Sequence, residues 1–349
     1  MRVYADLLLT YLPMHLLKSS LFLLFVILIG SCSNNKVSIY IKIAGFAQGT
    51  TYHITYELPD TIDLQPQIDS ILQAFDRSLS SYDSLSIISK INRNEDVEID
   101  TLFVSVFNRS NDVYLASDGI FDITVMPLVN AWGFGPKSRV KVDSVVIDSL
   151  LEFVGMEKVR LENNRIVKTD PRVQLDVNAI AQGFSVDIVA DFIESQGSAN
   201  FMVEIGGEIR TKGLNPGGKK WGIGIDKPEF GNIIPGAELE AIVELSDLSL
   251  ATSGNYRKYY EENGVKFTHS IDPKTGYPAK QSLLSATIVA TDCMTADAYA
   301  TVCMVGGLEK SKEILAKHPE LEAFLIYGDE SGIYQLFTTE GMKKMLRKE

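Results

Sequence analysis

One stretch, Asp292-Cys-Met-Thr-Ala-Asp-Ala-Tyr-Ala-Thr301, opens a helix directly after a strand-like run. Asp297 and Thr301 stand four residues apart, so on a helix both oxygens point to one face. A carboxylate with a hydroxyl, and no histidine or cysteine pattern beside it, is a hard, oxygen-only donor set that suits Mg²⁺ better than zinc. The same residues have a plainer electrostatic reading, with Thr295 as N-cap and Asp297 near the positive end of the helix.

Four other segments carry polar residues where a core pattern would not. In Gly119-Ile-Phe-Asp-Ile-Thr-Val-Met-Pro-Leu-Val-Asn-Ala-Trp-Gly-Phe-Gly135, Asp122 and Thr124 interrupt an apolar run. A buried carboxylate there needs donors or a ligand, unless it closes a turn. In Leu175-Asp-Val-Asn-Ala-Ile-Ala-Gln-Gly-Phe184, Asp176 or Asn178 can cap the following helix. Gly183, one turn inside that helix, costs about 1 kcal/mol unless something must approach closely. Glu204-Ile-Gly-Gly-Glu208 ends a strand either in a simple turn or with backbone amides open to a ligand. Ser253-Gly-Asn-Tyr-Arg257 and His269-Ser-Ile-Asp-Pro-Lys-Thr-Gly276 contain the one histidine of four in a motif-like setting, together with a turn signal at Asp272-Pro273 and Gly276.

The elements that must position these residues follow from periodicity. Val37 to Ala44 and Thr51 to Glu57 alternate as strands. Helical spacing predicts Pro66 to Leu79, Leu102 to Ser117 and Ile180 to Ile193 as helices. Strand-like runs follow at Phe201 to Ile205, Trp221 to Ile225, Glu240 to Leu245, Leu248 to Thr252 and Ser285 to Ala290. Thr295 to Val305 and Glu309 to Lys317 read as two helices, the second stopped by Pro319. Leu321 to Tyr327 and Ile333 to Thr338 complete a sheet. Strands and helices alternate without a βαβ rhythm, which predicts an α+β fold of mainly antiparallel sheets packed with helices in a single compact domain.

Composition excludes several classes. The chain has 349 residues, 45% of them hydrophobic and 22% charged, which rules out disorder, collagen and coiled coil. A net charge of −12 with no basic tract argues against nucleic acid as a partner. Three cysteines are too few for a disulfide scaffold or a thiolate zinc cluster.

Leu21 to Ile29 is an unbroken apolar run behind Lys18. As a helix it rises about 14 Å, too short to span a bilayer alone, and it reads as a secretory signal. Ile29-Gly30-Ser31-Cys32 resembles a bacterial lipobox with Cys32 as the lipidated residue. Residues 1–31 are then a signal peptide, 32–36 a lipidated tether and 37–349 the folded domain, with an uncleaved anchor as the alternative. In either case the domain lies outside the cytoplasm, and Cys293 and Cys303, among apolar neighbours, read as buried free thiols, with a disulfide between them as the alternative.

Taken in order, six segments resemble the FAD:protein FMN transferases, the ApbE-like flavin transferases. They are Gly49-Thr50-Thr51-Tyr52, Ser81-Tyr82 through Asn92, Phe121-Asp122 through Gly135, Leu175-Asp176 through Gly183, Ser253-Gly254 through Gly276, and Ala296-Asp297 through Thr301. The resemblance runs from about Gly45 to about Gly307. It implies an exported enzyme, lipid-anchored on the periplasmic side with the inner membrane favoured. Such an enzyme cleaves FAD, passes FMN to a threonine of an acceptor protein and releases AMP. The acceptor would be a subunit of a redox or ion-pumping complex.

By motif position, Asp297, Thr301 and the Ala179 carbonyl would ligate Mg²⁺, and His269 would be the general base. FAD contacts would fall to Gln48, Tyr82, Ile120, Phe121, Asp122, Asp176, Gln182 and Ile271. The sequence departs from the family pattern at Gln48, where many members have methionine, and at Gln182, where lysine or glutamate is usual. It departs again at Ala300, where some members add a metal-binding aspartate. Two other activities fit the same motifs: a periplasmic Mg²⁺-dependent FAD pyrophosphatase, and a non-catalytic FAD-binding lipoprotein.

Overall fold

Strand periodicity opens the folded region. Ser38–Ala47 (β1) and Thr50–Pro59 (β2) are joined by Gln48-Gly49, whose φ angles of 54° and 75° are those of a tight hairpin turn. The computed structural model describes residues 38–349 except 138, 229–235, 256–258, 263–264, 280–281, 329–332 and 349. The apolar run before Cys32, and Cys32 itself, therefore lie outside the described residues.

Helices Gln65–Leu79 (α1), Ile87–Asn92 (α2) and Thr101–Ala116 (α3) follow. Asp100 caps α3, its carboxylate accepting from the Phe103 amide at 2.8 Å. Met126–Trp132 (α4) and Ser144–Leu151 (α5) lead through the hairpin Val159–Glu162 (β3) and Arg165–Lys168 (β4) to Asn178–Ser195 (α6). A strand-rich half comes next: Phe201–Ile205 (β5), Glu208–Lys212 (β6), Trp221–Asp226 (β7), Leu239–Leu245 (β8), Ser249–Gly254 (β9), Tyr259–Glu262 (β10), Val265–Thr268 (β11) and Leu283–Ala290 (β12). Cys293–Lys317 (α7), Glu322–Gly328 (β13), Tyr334–Thr338 (β14) and Glu340–Met345 (α8) end the chain.

Eight strands form one sheet in the order β1-β2-β5-β6-β9-β12-β13-β14. Every pair from β2–β5 to β13–β14 is antiparallel, as the α+β reading expects. Both faces are covered, and side-chain alternation assigns the residues to them. Ala251, Ala286, Ile288, Ala323 and Leu325 turn towards α3, α6 and α7. Their neighbours Leu250, Val289, Phe324 and Ile326 turn towards the separate β7–β8 hairpin and α8. Burial on both faces explains why β12 is almost wholly buried.

The predicted pair of last helices is one run, α7, broken at Gly307, where φ 74° and ψ 179° leave the helical region. Its N-cap is Asp292, whose side chain accepts from the Thr295 amide; Thr295 is not the cap. Periodicity misses α4 because all seven of its residues are buried, leaving no polar face to set a rhythm.

Gly183 of α6 is where the two central helices touch. A Cβ there would lie 2.3 Å from the Cys293 carbonyl oxygen and 2.8 Å from the Asp297 Cβ. Gly183→Ala should therefore lower the unfolding free energy in urea by about 1–3 kcal/mol. Gly328→Ala, which meets nothing within 4 Å, should stay within about 0.5 kcal/mol of wild type. Equal midpoints for the two variants would show that the contact is not tight.

Candidate active site

The site is organised around the seam between α6 and α7. The Gly183 amide donates to Asp297 Oδ2 at 3.0 Å. In an α-helix that amide is the partner of the carbonyl four residues back, Ala179. The Asp297 carboxylate and the Ala179 carbonyl thus converge on one N–H. One turn further along α6, Asp187 accepts from the Cys293 amide (2.9 Å, Oδ1) and the Met294 amide (2.8 Å, Oδ2). Each step of four forward on α6 is a step of four back on α7, and one more step of that register predicts Ala179 opposite Thr301.

Asp297 is 6% exposed, and no lysine or arginine pairs with it among the described residues. Burial pushes its carboxyl up to about 7, against the Gly183 hydrogen bond that lowers it, and the Asp187 charge adds to the rise. Among the described residues no three histidine, cysteine, aspartate or glutamate side chains group as a metal site. The donors at the seam are a carboxylate, a hydroxyl and a carbonyl, a set that fits a hard cation.

A second wall comes from the segments around Asp122 and Asp176, which lie side by side. The Asp176 amide donates to the Ile123 carbonyl at 2.7 Å, and Val125 bridges Gln174 in parallel. Asn92 clamps the second segment, donating to the Leu175 carbonyl at 2.9 Å and accepting from its amide at 2.7 Å. Asp122 closes an Asx turn, Oδ1 accepting from the Thr124 amide and hydroxyl, while burial raises its carboxyl to about 6. Asp176 likewise accepts from the Asn178 amide at 2.9 Å, and burial raises it too. Tyr82 stands 65% exposed beside them, its hydroxyl raised by burial and by the Asp176 charge. Asp122 also lines a cavity of about 200 Å³ with Tyr114, Gly119, Gly155, Glu157 and Lys274.

Two turns make a third wall. Ser185 Oγ donates to Gln48 Oε1 at 3.1 Å, and Gln182 Nε2 donates to the Ile205 carbonyl at 3.2 Å. The Gly206 amide reaches the Thr51 carbonyl at 3.1 Å, tying the β5–β6 turn to the β1–β2 hairpin. Gly206-Gly207 is therefore a turn, with φ values of 65° and 111°.

His269 leaves β11 with its ring at 6.4 Å, edge-on, to Phe134. The loop after it is pinned: Trp132 Nε1 donates to the Gly276 carbonyl at 2.8 Å, and Ile271 packs with Leu128, Val129 and Ile147. Lys274 reaches back towards Asp118, next to Gly119. Ile120 meets Gly306 of α7, so the Asp122 segment also touches the helix carrying Asp297.

The family model of the ApbE family matches residues 48–325. A Vibrio cholerae relative named FAD:protein FMN transferase is 36% identical over 334 residues, covering 93% of this chain and 97% of the relative. This chain belongs to the ApbE family. A Haemophilus influenzae relative of the same name is 38% identical over 308 residues, covering 84% of this chain and 88% of the relative. The solved flavin transferase ApbE of Vibrio cholerae has a TM-score of 0.80 at 34% identity, covering 89% of this chain and 100% of that one. Flavinyl transferase ApbE of Pseudomonas stutzeri, in its apo form, gives 0.78 at 28% identity, covering 88% of this chain and 97% of that one.

In this ApbE-family chain the sequence-selected residues fall into linked groups. Asp297 lies at the seam one turn of α6 from Ala179, with Thr301 one turn along α7; Tyr82, Asp122 and Asp176 share the second wall; Gln48 and Gln182 share the turns; Ile120 and Phe121 directly precede Asp122; His269 and Ile271 share the pinned loop. Phe121 is 2% exposed and lies in the core. Sequence reasoning missed Asp187 and its partner Arg210, whose Nη1 lies 3.0 Å from Asp187 Oδ1. Its signal was a carboxylate one turn after Gly183, on the same face of the helix.

The raised Asp297 carboxyl has a consequence for stability. Its folded value of about 7 exceeds the ordinary 3.8. Its contribution to stability is therefore complete below about pH 4 and is lost as pH rises towards 7. Thermal unfolding in chelator should show stability falling across that window, with a shallower fall for Asp297→Asn. Identical slopes for the two proteins would mean Asp297 is not a strained buried carboxylate.

Proposed function

We propose that this chain is an FAD:protein FMN transferase that attaches FMN through a phosphoester to a threonine of an acceptor protein and releases AMP. The observation that carries the reading is the seam, where the Gly183 amide inside α6 donates to a buried carboxylate without a basic partner among the described residues, in a chain of this family.

FAD is the substrate. Exposed Tyr82 offers a ring on which a flavin or adenine can stack, and Asp122 and Asp176 can accept from its ring or ribose donors. Asp297, Thr301 and the Ala179 carbonyl would hold Mg²⁺. When bound, that ion neutralises charge on the pyrophosphate. His269 takes the proton from the acceptor threonine Oγ. The freed oxygen attacks the FMN-side phosphorus, the bridging P–O bond breaks, and AMP leaves with the bridging oxygen. Pinning of the 270–278 loop by Trp132 fixes where His269 meets the acceptor.

The apolar run before Cys32 supports export as a lipoprotein, anchored to the membrane on the periplasmic side, with the inner membrane favoured. There the acceptor would be an exported subunit or domain of a redox or ion-pumping complex.

The test incubates the protein with FAD and Mg²⁺, with and without a threonine-containing acceptor domain, following AMP and in-gel flavin fluorescence. A fluorescent acceptor band with AMP is expected. AMP with free FMN and no band would make the protein a pyrophosphatase, and bound FAD without AMP a binding protein. Asp297→Ala should abolish AMP release, whereas His269→Ala should slow transfer by about 10²–10⁴-fold while leaving Mg²⁺ binding intact. Unchanged transfer in the histidine variant would remove it as the base.

A further inference from the structure

A helix N-terminus leaves its first amides without intrahelical acceptors. In α7 the chain already supplies its own cap, Asp292, for the Thr295 amide. The two amides before it, Cys293 and Met294, are taken by a residue 106 and 107 positions away, Asp187 of α6, which gives one carboxylate oxygen to each. A helix that needed only a cap would not need this second, buried carboxylate from another helix. Burying it is costly unless it is paired, and the pairing is present: Arg210 Nη1 lies 3.0 Å from Asp187 Oδ1 and 3.0 Å from Asp191 Oδ1.

Geometry says what the second carboxylate does. Cys293 and Asp297 are one turn apart on α7, as Gly183 and Asp187 are on α6. Asp187 holds the Cys293 amide, and the Gly183 amide holds the Asp297 carboxylate at 3.0 Å. Two contacts one turn apart fix both the sliding and the rotation of α7 against α6. With only the Gly183 contact, α7 could rotate about it and carry Asp297 and Thr301 away from the Ala179 carbonyl.

We infer that Asp187 is the positioning residue of the seam: through its paired hydrogen bonds to the Cys293 and Met294 amides it sets the register that aims Asp297 at a bound Mg²⁺, with Arg210 holding its rotamer. This rests on the reading of Asp297 as a cation ligand. Asp187 touches neither substrate nor cation in this arrangement, and its effect passes through α7.

The experiment measures thermal unfolding of the full-length chain in detergent, titrated with Mg²⁺ alone from chelator upward, and reads the concentration that gives half of the rise in Tm. Asp187→Asn keeps the size of the side chain but cannot accept from both amides. It should raise that concentration about ten- to hundredfold, the usual effect of removing a group that orients a metal ligand. Asp187→Glu keeps the charge but displaces the carboxylate by one methylene, so it too should raise it, and it keeps the test alive if the asparagine variant does not fold. Asp100→Ala, which removes the α3 cap far along the chain, should lower Tm while leaving the half-effect concentration unchanged.

The inference is overturned if Asp187→Asn behaves like Asp100→Ala, because Asp187 is then merely structural. It is also overturned if the glutamate variant matches wild type while the asparagine variant does not, because charge alone then suffices. A wild-type protein with no Mg²⁺ response, or an Asp297→Asn variant that responds like wild type, would instead remove the cation reading on which the inference rests.

Discussion

No side chain stands between α6 and α7 at position 183, and the closeness of the two helices there is the constraint from which the site follows. A methyl group would collide with the Cys293 carbonyl oxygen at 2.3 Å. Without it, a backbone amide in the middle of one helix can donate to a carboxylate on the other. The roughly 1 kcal/mol that glycine costs a helix interior is offset by close packing against the Cys293 backbone and the Asp297 Cβ of α7. The same closeness excludes water from Asp297, so its carboxylate is strained in the absence of a positive partner. Stability and cation affinity are thus opposed at this seam: whatever binds there relieves a cost already built into the fold.

A protein with 45 acidic against 33 basic residues could place carboxylates on its surface without difficulty. Four of them, Asp122, Asp176, Asp187 and Asp297, are instead buried and held above their ordinary range. Each is anchored differently. Asp122 is satisfied within its own turn by Thr124, whose hydroxyl in turn accepts from the Gly155 amide at 2.6 Å. Asp187 has amides and a guanidinium. Asp176 has just the Asn178 amide of its own turn, and Asp297 just the Gly183 amide from another element. Asp176 and Asp297, with one amide each, are the least satisfied, and under the proposed function it is Asp297 that a cation would relieve.

Much of this was legible in the sequence, for reasons that can be named. Helices α1, α3 and α6 and most strands of the large sheet showed their periods because each buries one face or alternates between two. Gly183 announced a close approach because nothing else justifies glycine inside a helix. Other features were invisible. α4 has no polar face, and β3, β4 and α2 are too short to carry a period. The Asp187 cap joins residues more than a hundred positions apart, and no local pattern reports such a pairing. Thr295 looked like the N-cap by residue type, yet Asp292 has the extended backbone that a cap requires (φ −125°, ψ 152°). The glycine pair after Glu204 read correctly as a turn, but its second purpose could not be read.

That second purpose concerns Gln182. A Cβ on Gly206 would lie 1.7 Å from Gln182 Nε2, so the glycine is required both by its φ of 65° and by the side chain lying over it. Gln182 Nε2 donates to Ile205, and Ser185, on the next turn of α6, donates to Gln48. The two sequence departures from the family pattern, Gln48 and Gln182, are therefore neighbours in one neutral hydrogen-bonded cluster that ties α6 to both turns. A charged residue at 182 would have to bury its charge against the Ile205 carbonyl or turn outward. The amide avoids that choice by donating inward with Nε2 and keeping Oε1 as an acceptor. Where a lysine would present a positive charge, this cluster is uncharged, and under the proposed function the charge work on the pyrophosphate would fall more heavily on the seam.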